Sequence, residues 1–163
     1  MAEARATITR RTLLGSAALA PLVLSRANAA SPGHVAVTKG TGCECCEGWA
    51  KHLRASGYTV SVTETDDLEA VKTKLGIPED LRTCHTGQVG EYLLEGHVPA
   101  IAVAYLLREQ PQGMVGLAVP GMPVGAPGME VKGAKLDEYS VILFGPAGRK
   151  VWARYKGAVR LPS

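Results

Sequence analysis

Aromatic side chains are scarce in this 163-residue chain, which has one Phe, two Trp and five Tyr. Its core must therefore be built mainly from Val, Leu, Ile and Ala. Long apolar runs are missing as well. The stretch over residues 13–24 is interrupted by Pro21 and is well short of the roughly twenty residues a membrane-spanning helix needs. Basic excess is confined to the start of the chain. Arg5, Arg10, Arg11 and Arg26 stand against Glu3, a net of +3 that equals the +3 of the whole chain. Residues 30–163 are thus formally neutral and offer none of the basic field that nucleic-acid binding requires. Nucleic acid is excluded as a partner.

Those N-terminal arginines have a reading of their own. Thr9-Arg10-Arg11-Thr12-Leu13-Leu14 is a twin-arginine pattern, the apolar stretch follows it, and Ala27-Asn28-Ala29 is a small-residue cleavage site. We expect residues 1–29 to be a twin-arginine-type signal peptide. Residues 30–163 would then form one compact periplasmic domain with no stable membrane span after cleavage. An uncleaved anchor is the competing reading.

Cysteine is rare too, and its placement is uneven. Three of the four lie in Cys43-Glu44-Cys45-Cys46, and the fourth is in Cys84-His85. In an oxidising compartment four cysteines can form two structural disulfides, but neighbours such as Cys45 and Cys46 point in different directions and do not both find partners easily. Two chemistries remain, soft-metal binding and thiol–disulfide exchange, because the thiolate is both the metal ligand and the nucleophile. Cys43 and Cys46 have the spacing of a redox dithiol, to which Cys45 is extra. The sequence favours metal.

The surrounding pattern is α/β. Residues 34–38 form a short apolar strand, followed by a Lys39-Gly40-Thr41-Gly42 turn. Helical spacing over residues 45–56 places Cys46, Trp49 and Leu53 on one face, and Gly57 stops the helix. Residues 59–65 alternate as a strand, and Asp66-Asp67 opens a second helix that ends at Gly76. Residues 88–94 are a further strand, and Val98-Pro99 leads into an apolar helix over residues 100–109. Two alternating runs, residues 139–144 and 150–155, flank Gly145-Pro146-Ala147-Gly148 as a β-hairpin. This order resembles a single thioredoxin-like domain, a mixed sheet with a C-terminal hairpin and flanking helices. In such a domain the cysteines lie at the end of the first strand and the start of the first helix. A Val-Pro turn, commonly cis, faces them, and Val98-Pro99 stands where that turn is expected.

At a helix N-terminus the unpaired N–H groups and the dipole favour thiolates. Four of them suit either Cu(I) or Zn(II). The methionines discriminate. Pro120-Gly121-Met122 and Pro127-Gly128-Met129 repeat at an interval of seven in a Gly/Pro-rich loop, and beyond Met1 the only other methionine is Met114. Thioether is a soft neutral ligand suited to Cu(I) and unsuited to zinc, although a single loop methionine is more often a gap-filler. His85 and His97 adjoin Cys84 and the Val-Pro turn, within plausible reach of the cluster. His52 reads as an exposed helix residue, His34 as a chain-end residue, and Glu44 as a side chain facing water.

Cys43-Glu44-Cys45-Cys46, Cys84-His85-Thr86, Glu95-Gly96-His97-Val98-Pro99 and the Gly121-Met122-Pro123 to Gly128-Met129-Glu130 segment recur in order in one bacterial family. The chain resembles that family, often labelled only as a domain of unknown function, which includes periplasmic copper-resistance proteins of the CopG type. The likeness runs from about Val35 to Tyr155. It implies a thioredoxin-like fold, a cysteine-bridged and multinuclear Cu(I) cluster, and a role in copper handling with interconversion of Cu(I) and Cu(II). By position it implies Cys43, Cys45, Cys46 and Cys84 as cluster thiolates, with His85, His97, Met122 and Met129 following the motifs. The expected partners are copper ions and other periplasmic copper-handling proteins. The rivals are a thiol–disulfide oxidoreductase using Cys43 and Cys46, a metal-delivering adaptor without chemistry of its own, and a structural zinc site.

Overall fold

The computed structural model describes residues 32–162, so the signal-peptide expectation for residues 1–29 lies outside the described residues. β1 (His34–Gly40) pairs in parallel with β2 (Thr59–Thr65) and antiparallel with β3 (His85–Val89). β4 (Tyr92–Glu95) returns antiparallel to β3, placing Thr86 opposite Glu95. Beyond it come β5 (Gly116–Ala118), parallel to β4, then β6 (Glu138–Gly145), β7 (Gly148–Lys156) and β8 (Val159–Arg160), all antiparallel. The result is one mixed eight-stranded sheet in the order β2-β1-β3-β4-β5-β6-β7-β8. Three helices accompany it: α1 (Glu44–Ala55), α2 (Leu68–Lys74) and α3 (Ala100–Glu109), with a 3-10 turn at Glu79–Leu81. No described helix is long and apolar enough to cross a membrane.

The α/β class, the three helices and the C-terminal hairpin follow the sequence reading. The run over residues 88–94 does not form one strand. Gly90, at φ +56°, turns the chain between β3 and β4, a left-handed conformation that glycine adopts without steric cost. β5 and β8, three and two residues long, carry too little pattern to read as strands.

Alternate residues of the central strands enter two cores. Leu94, Leu117 and Leu143 join Val35, Val37, Trp49, Leu53 and Val103 in the larger cluster, with α1 and α3. Their chain neighbours Leu93, Ala118 and Phe144 join Ile77 and Leu81 in the smaller one. Because successive strand residues point to opposite faces, the two clusters lie on opposite faces of the sheet. α1 buries Cys46, Trp49, Ala50 and Leu53, the stripe its periodicity predicts. α2 buries only Lys72, which no apolar periodicity predicts.

Candidate metal centre

β1 ends at Gly40, and the chain turns through Gly42 (φ +73°) into α1, with Cys43 at the N-cap. Cys43 makes no side-chain capping bond. Lys39, buried at the end of β1, braces the turn: its Nζ reaches Glu64 Oε1 at 2.5 Å, Glu47 Oε1 at 3.3 Å and the Cys43 carbonyl at 3.4 Å. Glu44, beside these cysteines, is exposed, as expected.

The hairpin of β3 and β4 brings the distant cysteine in. The four cysteine sulfurs form one group whose ligand atoms all lie within 4.8 Å of one another. Cys45 Sγ is 3.6 Å from Cys43 Sγ and 3.8 Å from Cys84 Sγ. Cys43 and Cys46 are joined as a disulfide, which leaves Cys45 and Cys84 as free thiols. Two thiolates sharing one tetrahedral ion at a metal–sulfur length of about 2.3 Å would lie about 3.8 Å apart. The observed spacing around Cys45 therefore suits thiolates that share an ion.

Two imidazoles complete the group. Cys84, His85 and His97 also have ligand atoms within 4.8 Å of one another. His85 Nε2 is 3.0 Å from the Gly96 carbonyl, and His97 Nδ1 is 2.8 Å from the Pro127 carbonyl. A carbonyl only accepts, so each of these nitrogens carries the proton of its neutral ring. The opposite nitrogens hold lone pairs and face Cys84 Sγ, His85 Nδ1 at 3.5 Å and His97 Nε2 at 3.8 Å. Metal-ligating histidines are oriented in this way by backbone partners. Both rings are fully buried. They meet edge to face at 4.9 Å, while Trp49 lies over His85 at 4.4 Å and donates from Nε1 to the Val98 carbonyl at 2.8 Å.

Burial shifts these groups toward their neutral forms. Desolvation, with the Cys45 thiol alongside, pushes the Cys84 thiol up to about 12, against a smaller opposing pull from Lys72. Desolvation, with His97 and Lys72 nearby, brings His85 down to about 3. It also lowers His97, against smaller upward pulls from the Pro127 bond and Glu130.

Other expected residues fall differently. Met129 is half-buried and packs against the larger core. Met122 is 58% exposed on a cleft of about 540 Å³ walled by Pro120, Pro123, Tyr139 and Ile142 among others, with no cysteine or histidine among its walls. The loop that carries them nonetheless touches the site, through the Pro127 carbonyl on His97 and Gly128 against the first turns of α1. His52 is not an exposed helix residue. It is half-buried, and its Nε2 accepts the Ala100 N–H at 3.0 Å, capping α3. His34 is exposed at the start of β1. The Val98-Pro99 bond is trans, since there is no cis peptide among the described residues. Gly96, at φ +72°, makes the reversal instead, with Val98 N–H bonded to its carbonyl at 2.8 Å. Pro99 is then free to cap α3 at φ −60°.

Gly128 supplies a test of how the loop is seated. A Cβ there would stand 2.5 Å from Trp49 N and 2.7 Å from the Cys45 carbonyl, and the residue sits at φ +84°. Gly128→Ala is expected to destabilise the protein by about 2–4 kcal/mol, from left-handed strain and overpacking together. Thermal unfolding beside an alanine at exposed Gly133 (φ +78°, nothing within 4 Å) separates the contact from the strain. Equal effects at both positions would refute the contact.

The sequence reading missed Lys72 and Glu95. Both are fully buried and joined at 2.5 Å on the sheet face opposite Trp49.

Residues 81–129 match the model of a family described as a protein of unknown function, DUF411. None of the curated proteins compared with the chain matches it. Two solved structures resemble it over about three quarters of its length, Copper resistance protein copG Form 1 and Form 2. The first is 41% identical with a TM-score of 0.71, covering 77% of this chain and 99% of that one. The second is 41% identical with a TM-score of 0.70, covering 76% and 98%. Cysteines converging from two stretches of chain, two lone pairs aimed at the same sulfur and this extent of identity lead to one assignment: the chain belongs to the CopG-type copper-resistance family.

Proposed function

We propose that this is an exported copper-handling protein that, once reduced, holds Cu(I) in a cysteine-bridged, multinuclear site. Cys43, Cys45, Cys46 and Cys84 are the thiolates, and His85 and His97 close the site on its buried side. The observation that carries this is the convergence of four sulfurs within 4.8 Å of one another, since soft thiolates select soft ions. The copper-resistance neighbours support copper over zinc. The strand order β2-β1-β3-β4, with the cysteines between β1 and α1, supports a thioredoxin-like core. The twin-arginine pattern supports a periplasmic location. Met122, exposed on its loop, suits capture or hand-over of ions better than residence in the cluster, and Met129 stands nearer the site.

The Cys43–Cys46 disulfide bears on redox chemistry. Opening it takes two electrons and two protons and closing it releases them, and two Cu(II) ions becoming Cu(I) accept the electrons of closure. Interconversion of the two copper states is therefore within reach of the same side chains. That disulfide also favours the rival reading, a thiol–disulfide oxidoreductase. The rival requires disulfide reduction by copper-free protein to survive Cys45→Ser and Cys84→Ser.

The test is X-ray absorption at the copper edge on reduced protein loaded with Cu(I). Short Cu–S scattering and a Cu–Cu vector are expected, and Cys84→Ser should remove the Cu–Cu vector and lower the number of ions bound. Zinc retained at one equivalent after Met122 and Met129 are both changed to Leu, with no Cu–Cu vector on copper loading, overturns the reading.

A further inference from the structure

We propose that the buried Lys72–Glu95 pair is a positioning device for the metal centre, fixing the chain around Cys84 to the chain that carries His97. The proposal rests on the metal-binding reading above. Glu95 Oε1 accepts from Thr83 N–H at 2.5 Å, Thr83 Oγ1 at 3.0 Å and Lys72 Nζ at 2.5 Å, and Oε2 accepts from Thr86 Oγ1 at 2.7 Å. Lys72 Nζ donates in addition to Thr86 Oγ1 at 2.7 Å. One carboxylate thus holds the residue before Cys84 and the residue after His85.

The next two residues continue the grip. Gly96 accepts from the His85 ring through its carbonyl at 3.0 Å and donates its N–H to the His85 carbonyl at 3.3 Å. His97 meets Cys84 Sγ at 3.8 Å. Residues 95, 96 and 97 therefore each take a member of the 83–86 segment, and the only ionic link in this clamp lies on the face of the sheet away from the cysteines.

A buried ion pair is poor evidence of stabilisation in itself, because desolvation offsets most of the attraction and apolar residues of similar volume serve as well. Its value here is directional. A carboxylate satisfied on both oxygens fixes its partners in distance and angle, whereas an apolar contact lets them slide. Carboxylates that lie outside a metal's own ligands commonly act this way, and their loss costs about 10–100-fold in metal affinity.

The experiment uses reduced full-length protein and two probes. Cu(I) affinity is measured by competition with a colorimetric chelator, and the thiolate-to-cobalt charge-transfer band is recorded with Co(II). Thr83→Val removes the hydroxyl hold and keeps the N–H, Thr83→Ser keeps both, and Glu95→Gln removes the charge. Thr83→Val and Glu95→Gln are expected to weaken Cu(I) binding by about 10–100-fold and to move the cobalt band, while Thr83→Ser behaves as wild type. Should Glu95→Gln not fold, the two Thr83 variants decide. Wild-type protein that takes up no Cu(I) defeats the copper reading, and the positioning role with it. Wild-type binding with unchanged affinity and band in folded Thr83→Val defeats the positioning role alone.

Discussion

Lys72→Met is expected to lower the unfolding free energy of the metal-free protein by about 3–5 kcal/mol, because it strands a buried carboxylate. Glu95 is fully buried, and its nearest cation is the Lys72 ammonium at 2.5 Å. Without that ammonium the carboxylate keeps only the Thr83 and Thr86 donors. A second change should recover most of the loss. In Lys72→Met/Glu95→Gln the amide oxygen still accepts from Thr83 and the amide nitrogen donates to the Thr86 hydroxyl, so no charge is left without a partner. Urea unfolding at pH 7 measures both variants, and comparison of the m-values checks that the unfolded state is unchanged. A cost below about 1 kcal/mol for the single variant would mean that water reaches Glu95, and the account of a dry clamp would fail. Because this measurement is made without metal, it separates what the pair does for folding from what it does for the centre.

Much of the architecture can be read from local pattern because the elements concerned bury one face. The face of α1 bearing Cys46, Trp49 and Leu53 repeats at helical spacing, and all three side chains are buried. The β6–β7 hairpin is announced by alternation on both sides of a Gly/Pro turn, and the structure pairs Gly145 with Gly148 there. Central strands are harder to read. Leu93 and Leu94 face opposite cores, so β4 is buried on both sides and loses the alternation that marks a strand edge. That same feature could have exposed the clamp, since a glutamate directly following two residues buried on opposite faces has little chance of reaching water. Lys72 offers no such signal, because a lysine among the half-buried Leu68, Val71 and Leu75 of a short helix reads as a solvated side chain. Spacing marked the cysteines for soft-metal binding or thiol–disulfide exchange. The convergence of Cys84 upon them was expected from the family motifs rather than from local pattern, since it depends on the register of β1 with β3. His52 was misread because its partner, the Ala100 N–H, belongs to an element 48 residues away.

Acid should unfold the metal-free protein earlier than its carboxylates alone would dictate. His85 falls from an ordinary value near 6.5 to about 3 because burial disfavours its charged form, with His97 and Lys72 adding to the effect. His97 and His52 are lowered for the same leading reason. Below pH 6.5 the unfolded chain takes up protons at these rings while the native state does not, so the unfolded state binds more protons and stability must fall as pH falls. For His85 alone the slope is about 1.4 kcal/mol per pH unit, continuing down to about pH 3. Between pH 6.5 and 4.5 that amounts to about 2–3 kcal/mol, a large fraction of the stability of an ordinary domain, and the other two rings add to it with the same sign. Urea unfolding of reduced, metal-free protein at pH 7, 5.5 and 4.5 measures the slope, and His85→Asn should reduce it by about one proton. A flat profile above pH 4.5 would mean that the rings are already charged or wet. The upward shift of Cys84 has the same leading cause as the downward shift of His85. A pocket that penalises both a thiolate and an imidazolium stays neutral until a cation arrives. Uptake of a soft ion should therefore release the cysteine protons, and affinity should rise with pH across the window in which the histidines restore the fold.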